Sequence, residues 1–217
     1  MEDFMAALLK QCSLSALAVA VLMMAGCSQS TKPSTGDQSA AANTPAGPAQ
    51  LISAKTAFWP MYKAAMAWSG DIQVIRLSQK EVPGFKNLAG KAAMWEAAIG
   101  SPSRHEYRLY TYAIATVLPD IHKGTAAGSS RPWTGQTRDA MPIDVTVFNT
   151  DSDTAYQVSA ADAAGWLAKN PEKLLTSLEL GSTFNTSTPV WYLVWGNTKS
   201  GYIGSVNATT GTLYKKK

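Results

Sequence analysis

Two histidines, His105 and His122, and two cysteines, Cys12 and Cys27, are the side chains of this 217-residue chain best able to do nucleophilic, acid–base or metal chemistry. Their distribution suits none of the familiar sites. A zinc centre needs three or four His, Cys or carboxylate ligands, and the two histidines fall in different segments, each reading as a surface side chain. A Ser-His-Asp hydrolase would have to recruit His105 or His122 with Glu106 or Asp120, but the sequence has no Gly-x-Ser-x-Gly elbow. It has no Ser-x-x-Lys pair either, which argues against a penicillin-binding or β-lactamase-like enzyme. The glycine-rich stretch 124–135 lacks the Gly-Lys-Ser/Thr ending of a phosphate loop. Asp151 and Asp153 form an Asp-x-Asp pair without the following Gly and Glu of a calcium loop, and read as a solvated turn. No catalytic residue, metal site or cofactor is expected.

Cys27 is different, because its neighbours are small. The run Met24-Ala25-Gly26-Cys27-Ser28 resembles the lipobox of bacterial lipoproteins, with Met24 in place of the usual leucine. That resemblance implies cleavage before Cys27 and a diacylglyceryl group on its thiol. Residues 1–26 fit the same reading. Lys10 precedes an apolar run from Ala16 to Gly26, too short to span a bilayer and the right length for the core of a secretory signal. Cys12 would leave with that signal, and an acylated Cys27 leaves no disulfide, so the fold must rest on its core alone. Residues 27–50 hold no aromatic side chain and no Leu, Ile, Val or Met, so they should form a disordered spacer. As a coil, residues 28–50 would span about 25 Å. The expectation is a cell-envelope protein anchored through Cys27 and facing the periplasm or exterior. The absence of aspartate at Ser28 favours the outer membrane.

Without residues 1–26 the chain carries 18 Lys and Arg against 13 Asp and Glu. That modest surplus, with no basic stripe interleaved with aromatics, argues against nucleic acid. The Lys215-Lys216-Lys217 tail reads as solvated, although each cation near an anionic surface is worth about 1 kcal/mol.

The remaining residues must supply the fold. Leu51, Ala54, Phe58, Met61, Ala65 and Trp68 recur at helical spacing, with Ser53 as a candidate cap and Pro60 as a kink or a break between two short helices. Asp71 to Leu77 reads as a strand, and Pro83-Gly84 as a turn. Ala92 to Ile99 and Glu106 to Val117 read as a hairpin around 100–103. In the second of these strands Tyr107, Leu109, Thr111 and Ala113 share one face, with Arg108, Tyr110, Tyr112 and Ile114 on the other. Residues 119–138 read as a long irregular loop, and such loops are usually functional or disordered.

A similar pattern follows. Ile143 to Phe148 and Ala155 to Val158 read as a hairpin, Ser159 with Asp162 as the start of a helix through Trp166 and Leu167, and 177–180, 190–195 and 202–206 as strands continuing into 212–214. The fold class is therefore α+β, in two similar helix-plus-antiparallel-sheet halves at 51–138 and 139–217. Aligning Ser53-Ala54 with Ser159-Ala160 also aligns Lys63 with Lys169, and Trp95 corresponds to Trp191.

The segment from Pro189 to Trp195, with Gly201-Tyr202-Ile203-Gly204-Ser205-Val206-Asn207-Ala208-Thr209-Thr210-Gly211, resembles the closing hairpin of PepSY-type domains, Asn207 standing where aspartate is usual. The resemblance covers about the last 60 residues. It implies a cystatin-like helix across a small sheet, in a secreted or membrane-linked protein that binds or inhibits other proteins.

Seven tryptophans follow the spacer. Trp59, Trp68, Trp95, Trp166, Trp191 and Trp195 should lie largely in the core. Trp133 sits in the long loop between Arg131 and Arg138, residue types common at binding hot spots. The function expected is therefore non-enzymatic binding of a protein, a peptide or an envelope component. The partner surface would be Trp133, Arg131, Arg138, Tyr107, Tyr110 and Tyr112, with membrane lipid held through Cys27. The competing readings are an envelope hydrolase built on His105 or His122, and a structural subunit of an envelope complex.

Overall fold

The structure is a computed structural model, and it describes residues 50–186 and 188–214. The leader at 1–26, Cys27, the spacer as far as 49 and the Lys215–Lys217 tail lie outside the described residues. Within 50–214 the chain forms one antiparallel sheet with its helices on one face. Helix α1 (Ala54–Trp68) is followed by β1 (Gln73–Lys80), β2 (Met94–Ser101), β3 (Glu106–Ala113), β4 (Gly124–Ala127) and β5 (Arg131–Pro132). A 3-10 turn at Val145–Val147 leads to α2 (Ser152–Asp162), α3 (Ala164–Leu167), β6 (Leu175–Gly181), β7 (Val190–Trp195) and β8 (Tyr202–Asn207). The strand order is β4-β3-β2-β1-β6-β7-β8, with β5 on the same edge of β3 as β4. Helix α1 thus precedes β1 to β5 and α2 precedes β6 to β8, and the two sets meet where β1 pairs with β6.

Helix α1 forms because Ala54, Phe58, Met61 and Ala65 make a stripe that is entirely buried. Each large side chain of this kind contributes about 1.5–3 kcal/mol by leaving water. Pro60 neither breaks the helix nor divides it. It falls in the second turn, where the carbonyl it deprives belongs to exposed Thr56 and can turn to water. Ser53 is the N-cap residue but makes no side-chain cap bond, its hydroxyl instead meeting Thr56 Oγ1. The cap comes from elsewhere in the chain. Ser152 Oγ accepts from Ala54 N at 2.9 Å, and Asp151 Oδ1 accepts from Lys55 N at 2.9 Å. Asp151 also accepts from Ser152 N at 2.7 Å, capping its own helix with the same oxygen.

The expected hairpin at 143–158 is not there. Asp144 takes both the amide and the hydroxyl of Thr146, at 2.9 and 2.6 Å. This local bond winds Val145–Val147 into a 3-10 turn despite its β-branched residues. Helix α2 then starts at Ser152, its cap Asp151 standing eight residues before the expected Ser159 cap. Ser159 lies inside the helix, fully buried. The pairing of Ser53 with Ser159 therefore fails, and the position matching Ser53 is Asp151.

The long stretch 119–138 is also more ordered than expected. Gly124–Ala127 and Arg131–Pro132 pair with β3, covering an edge that would otherwise expose unpaired backbone. β3 itself stops at Ala113 rather than at Val117.

The core lies between the sheet and the two helices. Trp95 and Trp191 meet there with ring centroids 6.3 Å apart, and both are fully buried. Trp95 Nε1 donates to Ile52 O at 3.0 Å and Trp191 Nε1 to Thr150 O at 2.9 Å. Each acceptor stands two residues before the first residue of a helix. The expected core position of Trp59 is wrong, since it is 47% exposed on the outer face of α1.

Candidate functional site

The surface expected from sequence is divided by the sheet. Strand register places Tyr110 opposite Ala97 and Tyr112 opposite Trp95, on the face covered by the helices. Tyr110 is 1% exposed and Tyr112 packs against the core, so Tyr110 cannot meet a partner. The reason is the period of two in the strand, which sends Tyr107 to the opposite face. There Tyr107 pairs with exposed Arg131, and Trp133 N donates to His105 O at 2.8 Å. The Trp133 ring lies directly over Gly100, where any side chain would strike it. Trp133 therefore pins the loop to the sheet. Arg138 is elsewhere, its guanidinium 5.3 Å from the ring of exposed Phe184. Of the six expected contact residues, the fold brings together Tyr107, Arg131 and Trp133.

His105 and His122 are both exposed, His105 at positive φ in the β2–β3 turn. Among the described residues no three His, Cys, Asp or Glu side chains are grouped to hold a metal ion. Asp151 serves as a helix cap rather than as a solvated turn.

Two hollows remain. The smaller, about 160 Å³, lies beside Arg76, Asp139, Glu179 and Tyr192 on the face away from the helices. Burial pushes the Glu179 carboxyl up, opposed by Arg76, 3.8 Å away, and by Lys80. Burial likewise raises the Tyr192 phenol.

The larger hollow is a cleft of about 730 Å³, and the sequence reading missed it. It arises at the centre of the sheet. β1 runs to Lys80 and β6 begins at Leu175, yet their pairing is confined to Arg76–Ser78 with Glu179–Gly181. Beyond Ser78 and Glu179 the two strands part, and the β1–β2 connection folds over the gap. Val82, Phe85, Leu88, Tyr156, Leu175 and Trp195 supply most of its apolar wall. The rings of Tyr156 and Trp195 pack at a tilt with centroids 5.2 Å apart, and Trp195 Nε1 reaches Ser159 Oγ at 3.5 Å. Thr176 Oγ1 donates to Gly196 O at 2.7 Å and Val194 O at 3.1 Å, beside the register shift that turns β6 at Thr176.

The connecting loop is held by its backbone. Val82 bridges Phe85, Leu88 bridges Lys91, and Asn87 Nδ2 donates to Lys80 O at 3.1 Å. Gly90 has φ +77° and passes so close to the carbonyl of Ser152 that a side chain would collide with it. Only glycine meets both conditions. Two buried acceptors, Gln79 Oε1 and Asn87 Oδ1, have no hydrogen-bond partner. Leu88 and Leu174 stand at the mouth, 65% and 56% exposed. The one sequence hint was Phe85 and Leu88, two large apolar residues within a turn-rich stretch.

The wall is mainly apolar, with Gln79, Glu81, Lys86, Asn87, Lys173 and Thr176 as its polar members, a mixture common in concave sites that hold a ligand by burial. No protein-family model matches the chain, so the PepSY-type resemblance has no family match behind it, and no curated protein sequence matches it significantly. A crystal structure from Clostridium difficile 630, of a protein provisionally assigned as a lipoprotein, is similar with a TM-score of 0.46 and 10% identity. The likeness covers 71% of this chain and 87% of that one.

Proposed function

We propose that this is a bacterial envelope lipoprotein, tethered by lipid on Cys27, that binds a protein or peptide without catalysing a reaction. The cleft between β1 and β6 receives an apolar segment of that partner. The observation that carries this reading is the lapse in strand pairing at the middle of the sheet, which leaves a 730 Å³ hollow walled by Tyr156, Trp195, Phe85 and Leu88. An apolar occupant there would release about 25 cal/mol for each Å² it buries. The lipobox-like run around Cys27 and the apolar leader support the tether, and Ser28 favours the outer membrane. The matching indole bonds of Trp95 and Trp191 support descent of the two halves from one helix-plus-three-strand unit.

Photo-crosslinking in intact cells tests the binding site. A benzophenone side chain placed at Leu88 or Leu174 should give a discrete adduct, and one placed at Gln157, on the exposed side of α2, should not. Adducts from a probe at Arg131 and none from Leu88 or Leu174 would move the site to the Trp133 face. The mass of the Cys27 peptide tests the tether independently.

A further inference from the structure

The outer faces of the two helices differ in kind. Along α1 the exposed positions are Thr56, Trp59, Lys63, Met66 and Ala67, spaced as one stripe along the side turned from the sheet. Trp59 and Met66 are 47% and 45% exposed, although both are residue types that proteins ordinarily bury. The Trp59 ring rests edge-on against Phe58 and Tyr62, at 5.1 and 5.9 Å, so it is braced outward. The helix contains Lys55 and Lys63 and no acid. Helix α2 exposes Thr154, Gln157, Ala161 and Asp162, and contains two acids and no base. The whole chain shares this polarity. Residues 51–138 hold eleven Lys and Arg against five Asp and Glu, and residues 139–217 hold six against seven.

We infer that the outer face of α1 docks on an anionic lipid surface, a reading that rests on the tether proposed at Cys27. Trp is suited to the boundary between head groups and acyl chains, with an apolar body and one polar N–H. Lysine can lay its stem on that boundary while its ammonium reaches the phosphates. Charge asymmetry between two halves is itself a mark of a membrane-facing or polyanion-facing side. The spacer supplies the geometry. It ends at Gln50, four residues before α1 begins, so lipid on Cys27 keeps α1 within reach of the bilayer, since a chain extends at most about 3.3–3.6 Å per residue. At that range a weak surface attraction suffices, because the tether replaces a bimolecular encounter by a local one. The basic half then lies against the membrane.

The test uses the acylated protein carrying Met66→Cys, labelled with an environment-sensitive fluorophore. Cys27 is blocked by its lipid and Cys12 is lost with the leader, so the label has one site. The protein is reconstituted into vesicles of phosphatidylcholine alone or with 30 mol% phosphatidylglycerol. The expected result is flotation with both compositions, and a blue-shifted emission only with phosphatidylglycerol. Lys63→Glu, which replaces the cation of this face by an anion, should lower the docked fraction by about tenfold or more, since each charge near such a surface is worth about 1 kcal/mol. A fluorophore at Gln157→Cys on α2 should not shift. Flotation with an unchanged Met66→Cys emission on anionic vesicles overturns the docking and leaves the tether standing. An equal shift on neutral vesicles overturns the role of charge. A Cys27 peptide without acyl mass, and no flotation on either composition, overturns the tether and the docking together.

Discussion

The two sides of the sheet each carry a helix, and they differ in how those helices are held and what the helices show to solvent. α1 lies against β1 to β4 and α2 against β7 and β8, and each half sends a tryptophan from its second strand to the carbonyl just ahead of its helix. Yet α1 begins without a side-chain cap of its own, whereas α2 begins with Asp151 and lends that residue to α1. One layout can thus be stabilised unequally, with the second half completing the first. The outer surfaces diverge further, one basic and aromatic, the other acidic and small. Packing constrains the inner positions, and nothing in the fold constrains the outer ones.

The largest effect should come from breaking what the halves have in common. Trp95→Ala and Trp191→Ala each empty a fully buried site and remove an indole hydrogen bond to the backbone. Each should cost about 3–5 kcal/mol, read as a fall in the urea midpoint. Because the rings touch, the double variant should lose less than the two singles combined. Additive losses would mean that the halves stand independently.

Why one half was easier to read than the other follows from the same residues. The α1 stripe was legible because its apolar residues recur at steps of three and four and all turn inward. The β2–β3 hairpin was legible because Pro102 and Ser103 interrupt two β-rich runs. The start of α2 was not legible. Val145, Val147 and Phe148 carry strand propensity, and the Asp144–Thr146 bond that overrides it is a local choice that composition does not reveal. Strand β4, Gly-Thr-Ala-Ala, has almost no propensity and exists because β3 offers an open edge. The cleft was hidden for a third reason. It depends on where β1 and β6 stop pairing, and those strands are nearly a hundred residues apart in sequence.

The shared cap offers a sharper test of unequal support. Asp151→Ala removes acceptors from both helix N-termini and should cost about 1–2 kcal/mol, the upper part of the range for a single cap. Ser53→Ala, at the corresponding place in the first half, should change stability by less than about 0.5 kcal/mol. Chemical denaturation of the two variants side by side measures the contrast. Equal losses would mean that Ser53 does cap α1 in solution and that the halves are supported alike.

The smallest effects compare the C-terminal ends of the two helices by pH. Past the end of α1, the Asp71 carboxylate accepts from Ser101 Oγ and Ser69 Oγ, each at 2.6 Å, and from Ser103 N at 2.7 Å. These donors hold its carboxyl well below the usual carboxylate range. The unfolded chain therefore binds more protons here in acid. Asp71's contribution is complete above its ordinary value of 3.8 and is lost as the pH falls further. At the end of α2 the Tyr202 hydroxyl donates to the Asp162 carboxylate, and that bond, with burial, pushes the phenol up to about 12. The native state now holds the proton longer than the unfolded chain does. This contribution is complete below pH 10 and is lost as the pH rises from 10 toward 12. Urea midpoints followed from pH 2.5 to 5 and from pH 9 to 11.5 should show an acid limb, shared with Asp144 and Glu172, that Asp71→Asn makes shallower, and an alkaline limb, shared with Tyr110 and Tyr192, that Tyr202→Phe makes shallower. If either substitution made both limbs shallower, the ends of the two helices would be coupled through the sheet. The contrast between the halves would then be confined to their N-terminal caps and outer faces.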